Sequence, residues 1–264
     1  MKDHRTWGKP PNKIAVVHGG PGAPGSVAPI ARELSKVCGV LEPFQTAKTL
    51  DGQVEELREL LEEHADLPCV VIGWSHGASL SCILAARHPD IIGKLIIIGT
   101  TPFEEKHQAD IARKRLSRLS EQERAEFFSL AAMMRDPANE KRSLAMARLF
   151  RLVTKAESYA LMPFEDDILE YQPDINESIG QEYRRLFDGN QLLRILPDIR
   201  CPVVAIHGDY DVLPAEGVNE PFSRLIRDYR FVLLEKCGHY PWYEEYARDE
   251  FFAILRDETL EKTL

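Results

Sequence analysis

Short runs of continuously apolar residues recur along the chain, separated by stretches in which apolar positions return every three or four residues. The runs are NKIAVVHGG, GVLEPF, PCVVIGW, KLIIIGT, CPVVAIHGD and YRFVLLEKCG. Strands covered on both faces have this unbroken apolar character, whereas half-exposed strands alternate. Between the early runs lie APIARELSKV, GQVEELRELLEEHA and ASLSCILAARH, whose spacing predicts helices. Strand and helix in alternation build βαβ units, so the pattern predicts an α/β fold with a mostly parallel sheet of about six strands flanked by helices.

The alternation stops after Gly99. From residue 103 to 197 the chain reads as long amphipathic helices rich in Arg, Glu, Met and Phe, with no strand-like run. Ser120 followed by Glu123 forms a capping box ahead of ERAEFFSLAAMM, and Asp136 with Pro137 reads as the opening of a second helix. Strand-like runs resume at Cys201, followed by the helical EGVNEPFSRLIRD, the last strand and the helical EEYARDEFFAILRDE. The expected layout is one core formed by residues 1–102 and 198–264, with 103–197 inserted as an all-helical cap too apolar to remain disordered.

One segment asks for chemistry. In Gly73-Trp74-Ser75-His76-Gly77 a serine stands between two glycines where a strand turns into a helix. Gly73 and Gly77 leave room for a turn so tight that Ser75 takes a strained conformation and holds its hydroxyl out at the C-terminal edge of the sheet. The helix N-terminus beyond it supplies oriented N–H groups where an oxyanion would form. A serine alcohol needs a base, and the base needs an acid to set its tautomer. His239, in Lys236-Cys237-Gly238-His239, follows the last strand; Asp211, in His207-Gly208-Asp209-Tyr210-Asp211, follows the one before. Asp209 is the rival acid, but one residue past Gly208 it is placed to brace the turn. The order Ser75, Asp211, His239 is the one expected when a G-x-S-x-G elbow carries a triad.

A fourth segment, His18-Gly19-Gly20-Pro21-Gly22, follows the strand IAVV. Its glycines let the backbone approach a ligand, so the N–H of Gly20 would pair with that of His76 as an oxyanion hole. Neither G-x-G-x-x-G nor a G-K-[ST] ending is present, which argues against a phosphate cradle. Each segment alone has an ordinary reading as a loop or turn. Together they fall at the C-terminal ends of different predicted strands, where open parallel sheets place their sites. Of the other histidines, His18 and His207 are expected to steady their loops, and His4, His64, His88 and His107 to lie at the surface; Trp242 and Tyr243 are expected to pack the last helix. No H-x-x-x-H or H-E-x-x-H spacing points to a metal, and no cofactor is required.

Charge narrows the partners. The 33 basic and 42 acidic side chains give a formal charge of -9 with the signs interspersed, which argues against nucleic acid and anionic membranes. Arg113, Lys114, Arg115 and Arg118 fall in a helical pattern dotted with glutamates and read as a solvated helix face. The N-terminus lacks the apolar region of a secretion signal and KLIIIGT is too short to cross a bilayer, which predicts a soluble, cytoplasmic chain. The five cysteines have no CxxC spacing and read as buried free thiols.

With these segments in place the chain resembles the α/β-hydrolase superfamily over nearly its full length. The resemblance implies that Ser75 is the nucleophile, Asp211 the triad acid, His239 the base, Gly20 and His76 the oxyanion donors, and 103–197 the cap that shapes the substrate pocket. HGGPG also resembles the prolyl iminopeptidase branch, which carries D-x-R-G-x-G-x-S after the next strand where this chain has Glu42-Pro43-Phe44-Gln45-Thr46. The superfamily usually has a β-hairpin before the strand leading to HGG; only about a dozen residues precede IAVVHGG, which predicts a sheet shorter on that edge.

The expected activity is that of a serine hydrolase cleaving a small-molecule acyl bond, ester-type foremost, through an acyl-enzyme. A prolyl iminopeptidase-like aminopeptidase is one alternative, with Glu165, Asp166 and Asp167 available to receive an α-ammonium group. A catalytically silent ligand-binding receptor on the same scaffold is the alternative from another class. The Met- and Phe-bearing cap helices offer a surface that a homo-oligomer would use.

Overall fold

The apolar runs pair into one sheet. The computed structural model describes residues 3–107, 109–187 and 190–260. In chain order the strands are β1 (His4–Trp7), β2 (Asn12–Val17), β3 (Gly39–Pro43), β4 (Cys69–Trp74), β5 (Ile92–Ile98), β6 (Val203–Gly208) and β7 (Tyr229–Leu234). Their spatial order is β1-β3-β2-β4-β5-β6-β7, with every pair parallel except β1 against β3. The sheet therefore has seven strands where the apolar runs predict about six. The extra one is the four-residue β1, whose central Arg5 and Thr6 break any apolar pattern. Its sheet contacts include polar ones: Arg5 Nε and Trp7 Nε1 both donate to Glu42 Oε2 on β3 at 2.8 Å.

The helices are α1 (Ala28–Leu34), α2 (Leu50–His64), α3 (His76–Arg87), α4 (Ala109–Ser117), α5 (Glu121–Arg135), α6 (Arg142–Glu157), α7 (Pro173–Phe187), α8 (Glu216–Leu225) and α9 (Arg248–Leu260). Successive strand residues face opposite sides, and both sides are covered. Ala15, Val17, Val71, Leu95, Ile97, Val203 and Ala205 pack with α2, α3 and α8. Ile14, Val16, Ile72, Ile96, Ile98, Val204 and Ile206 pack with α1 and α9. This is why the strands read as unbroken apolar runs. Burying each of the Val, Leu and Ile side chains contributes roughly 1.5–3 kcal/mol before the entropy of ordering is counted.

The helices between β5 and β6 are tied into the same interior, since Phe103, Ile175, Ile179, Leu192 and Leu196 belong to the cluster beneath α3. Helix α5 starts with the capping box, Ser120 Oγ accepting from Glu123 N–H and Glu123 Oε2 from Ser120 N–H. Asp136 and Pro137 do not open the next helix, contrary to the sequence reading. Asp136 closes α5 in an extended conformation, as a residue before proline prefers, and its Oδ1 accepts from Ala138 N–H at 3.0 Å; α6 starts only at Arg142. Among the described residues no helix is long and apolar enough to cross a membrane.

In the sheet the chain runs from β2 outward to β3 and then crosses back to β4. Open parallel sheets form a crevice at such a switch point, beyond the carboxyl ends of the strands.

Candidate active site

Ser75 stands in that crevice, between β4 and α3, with φ 53° and ψ -115°. A non-glycine residue held there costs on the order of 1–3 kcal/mol, and the surroundings must enforce it. They do so by close backbone approach. A Cβ on Gly73 would collide with the main chain of Gly77 and Ala78, and one on Gly77 with the carbonyls of Val17 and His18. Ser75 N–H donates to Ile98 O at 2.9 Å, which ties the elbow to the end of β5.

Across the crevice, His239 Nδ1 lies 2.7 Å from Asp211 Oδ2, and both side chains are buried. The other oxygen, Asp211 Oδ1, accepts from Leu213 N–H at 2.9 Å. Asp209 does not reach the ring; its Oδ1 accepts from Cys237 N–H at 3.1 Å and braces the turn. His207 Nε2 lies 2.8 Å from Leu213 O, and His18 Nδ1 lies 3.1 Å from Gly19 O. His239 itself is anchored on both sides of its backbone. Its N–H donates to Glu157 O, the last carbonyl of α6, at 2.8 Å, and its carbonyl accepts from Trp74 Nε1 at 3.0 Å.

Burial disfavours the charged imidazole of His239, but the charge and hydrogen bond of Asp211, joined by Glu157, outweigh it and raise its pKa above the ordinary 6.5. Burial likewise works to raise Asp211, yet the charge and hydrogen bond of His239 leave its carboxyl below the usual range. The carboxylate accepts, so Nδ1 carries a proton and Nε2 is the ring's basic nitrogen. Ser75 and His239 line one cavity of about 500 Å3. No hydrogen bond joins Ser75 Oγ to the ring in this arrangement; such contacts often tighten only with substrate bound.

Gly20, with φ 39°, lines the same cavity. Among the described residues neither its N–H nor that of His76 has a hydrogen-bond acceptor. The His76 side chain turns inward, its Nε2 2.8 Å from Gln53 Oε1 and its Nδ1 2.9 Å from Tyr183 OH. Burial pushes its pKa down to about 3, so the ring is neutral.

Three residues that lie at the site were not among the candidate site residues read from the sequence. Gly99, at the end of β5, has no room for a side chain: a Cβ would sit 2.9 Å from His239 Nδ1 and 3.2 Å from Asp211 Oδ2. Glu157 of α6 and Arg115 of α4 line the cavity, Arg115 Nε donating to Glu157 Oε1 at 2.6 Å. The reading of the basic cluster as a solvated face holds for Arg113, exposed and paired with Asp110, and fails for two others. Arg115 faces the cavity, and Arg118 lies 3.6 Å over the Tyr210 ring while donating to Ala156 O and Tyr210 O. Their partners lie tens of residues away in sequence, so no local signal marks them.

Glu165, Asp166 and Asp167 do not reach the cavity of Ser75. Asp166 accepts from Tyr171 OH and Ile168 N–H, Asp167 pairs with Arg32, and Glu165 and Asp167 line a separate groove beside Trp242 and Tyr243. Trp242 packs on Phe251 of α9. All five cysteines are free. Among the described residues one cluster of potential metal ligands, Glu104, His107 and Glu220, lies away from the cavity, with the Lys106 ammonium 3.0 Å from Glu104.

A profile of the alpha/beta hydrolase fold matches residues 14–246. The chain belongs to the α/β-hydrolase family. Among its relatives, the pimeloyl-[acyl-carrier protein] methyl ester esterase of Aromatoleum aromaticum is 29% identical over 184 residues, covering 69% of this chain and 71% of that protein. The biotin biosynthesis bifunctional protein BioHC of Teredinibacter turnerae is 34% identical over 196 residues, 72% of this chain and 34% of that longer protein. Among solved structures, VinJ superposes with a TM-score of 0.66 at 19% identity, covering 97% of this chain and 93% of that one. Several of these relatives are named esterases, and this chain is itself a hydrolase.

Proposed function

We propose that this α/β-hydrolase is a serine esterase in which Ser75 is the nucleophile, His239 the general base and Asp211 its orienting acid. One observation carries the reading: a buried Asp211–His239 pair at 2.7 Å shares a cavity with a serine held on a strained elbow. His239 Nε2 takes the Ser75 proton as Oγ attacks the ester carbonyl. The developing oxyanion is held by the N–H groups of Gly20 and His76, each worth on the order of 3 kcal/mol in the transition state. The alcohol leaves with the proton from His239, and water repeats the sequence on the acyl-enzyme.

Residues 103–197 act as the cap over this site. Met146, Leu149, Phe150 and Val153 of α6 line the cavity and suit an aliphatic acyl chain. The esterase names among the relatives support an ester over an amide. An aminopeptidase would need a free carboxylate at the site; Glu157 is there but is held by Arg115, and the acidic run at 165–167 lies elsewhere. Free thiols throughout suit a reducing cytoplasm.

A fluorophosphonate should label Ser75 alone, and Ser75→Ala should lower ester turnover by about 10⁴-fold or more while leaving thermal unfolding unchanged. Turnover near the parent's, or labelling at another residue, would remove Ser75 from the mechanism. Short p-nitrophenyl esters should be cleaved faster than proline arylamides.

A further inference from the structure

Arg115 is an anomaly within its own helix. Arg113 is spent on Asp110 and Arg118 on two carbonyls and a tyrosine ring, both outside the cavity. Arg115 instead lines the cavity that holds Ser75 and His239. Its Nε is fixed by Glu157 Oε1 at 2.6 Å, and the Glu157 side chain is only 3% exposed, so the guanidinium is clamped from one side. Among the described residues its two terminal nitrogens have no acceptor, and neither is among the buried unpartnered atoms. A guanidinium held through Nε keeps a planar pair of N–H donors whose geometry fits a carboxylate.

Much of the surrounding wall is apolar, formed by Met146, Leu149, Phe150 and Val153. A polar end on the substrate would find few other donors there. Arg115 and Glu157 together are formally neutral, and Asp211 lies behind His239, so a dianionic phosphate would be poorly balanced where a single carboxylate is tolerated.

We propose that the free edge of Arg115 recognises a carboxylate, so that the preferred substrates of this site are esters that carry a free carboxylate at the far end, such as half-esters of dicarboxylic acids. The inference rests on the serine-esterase reading. Hydrolysis then breaks the bond between carbonyl carbon and alkoxy oxygen, consumes one water, and releases the alcohol and a dicarboxylate.

The test compares kcat/KM for monomethyl and dimethyl esters of glutaric, adipic and pimelic acid. The half-ester of the fitting length should be favoured by about tenfold to a hundredfold, the range expected for a hydrogen bond to a charged group at a partly exposed site. Arg115→Met combined with Glu157→Gln removes the pair without stranding a buried carboxylate, and should bring that ratio to unity or below. Arg115→Lys keeps a partner for Glu157 but loses the fork, and should fall between. A parent enzyme with no preference, or a preference that survives the double variant, overturns the proposal. So does a faster methyl ester bearing a phosphate monoester, or an amino acid methyl ester, which would put recognition on Glu157 instead. If no ester is turned over and the phosphonate leaves Ser75 unlabelled, the esterase reading fails by itself. Calorimetric binding of adipate then decides the carboxylate site: binding about tenfold tighter to the parent than to the double variant supports it, and equal affinity ends it.

Discussion

The strand-end loops and the inserted helices both line the cavity, but they are built under opposite constraints. At the strand ends backbone lies against backbone or against the acid–base pair, so that Gly77 abuts two carbonyls of the β2 turn and Gly99 abuts His239 and Asp211. In α7, Gly180 also lines the cavity, yet the nearest atom to an added Cβ is the tip of Arg184 at 3.8 Å. At Gly73, Gly77 and Gly99 the first region has no space for an extra atom. The second presents side chains on helices and has space to change them. In the mechanism proposed above, reaction chemistry belongs to the first region and substrate choice to the second.

The hardest break in that contrast is at the acid. Asp211→Asn preserves shape but presents a donor where His239 Nδ1–H needs an acceptor, and should lower kcat by about 10⁴-fold. Asp209→Asn, two residues away, keeps an oxygen that can accept from Cys237 N–H and should cost far less. Stopped assays on both proteins separate the two aspartates; equal losses would remove Asp211 from its role. Next comes Gly99→Ala, which forces a methyl against the pair at a φ of 49°. A displacement of about 1 Å at His239 should cost about a hundredfold in kcat/KM while far-ultraviolet dichroism is unchanged.

How far the sequence carries follows the same division. The strands of the parallel sheet, the elbow and the two loops bearing Asp211 and His239 are legible because unbroken apolar runs and glycine spacing are local signals. Strand β1 is not, because four residues containing Arg5 and Thr6 show no pattern and pair through Glu42, far along the chain. Nor are Arg115 and Glu157, which separately look like any helix-surface charges and acquire meaning only when α4 meets α6. Gly99 ends a strand as many glycines do; only the approach of His239 explains it. Asp136-Pro137 carries the residue types of a helix start, and the Asx-type turn that competes for them prevails.

A smaller effect crosses between the regions. In the proposed mechanism His239 acts as a base when neutral, so kcat/KM should rise with pH through a midpoint above 6.5, where its raised pKa lies. Glu157, on α6, is one of the groups that raise it, while Arg115 acts in the opposite sense. Glu157→Gln should therefore move the ascending limb to lower pH, and a shift upward would contradict the electrostatics. The stability sign follows separately. The raised His239 contributes in full below its unfolded pKa of about 6.5 and loses that contribution as pH rises through the folded value. Asp211, held below its ordinary range, contributes above about 3.9 and loses it as pH falls through its folded value.

The smallest expected change is a gain. Gly180 sits inside α7 with no positive φ and open space around its would-be Cβ, so Gly180→Ala removes backbone freedom from the unfolded chain without a clash. It should stabilise the protein by about 0.5–1 kcal/mol, read as a higher denaturant midpoint at constant slope. The added methyl also enters the cavity wall, where it should change KM for bulky esters more than kcat. The same substitution at Gly99 should do the reverse, lowering kcat with little gain in stability. If the two alanines behaved alike, the division between a fixed catalytic edge and an adaptable helical wall would be wrong.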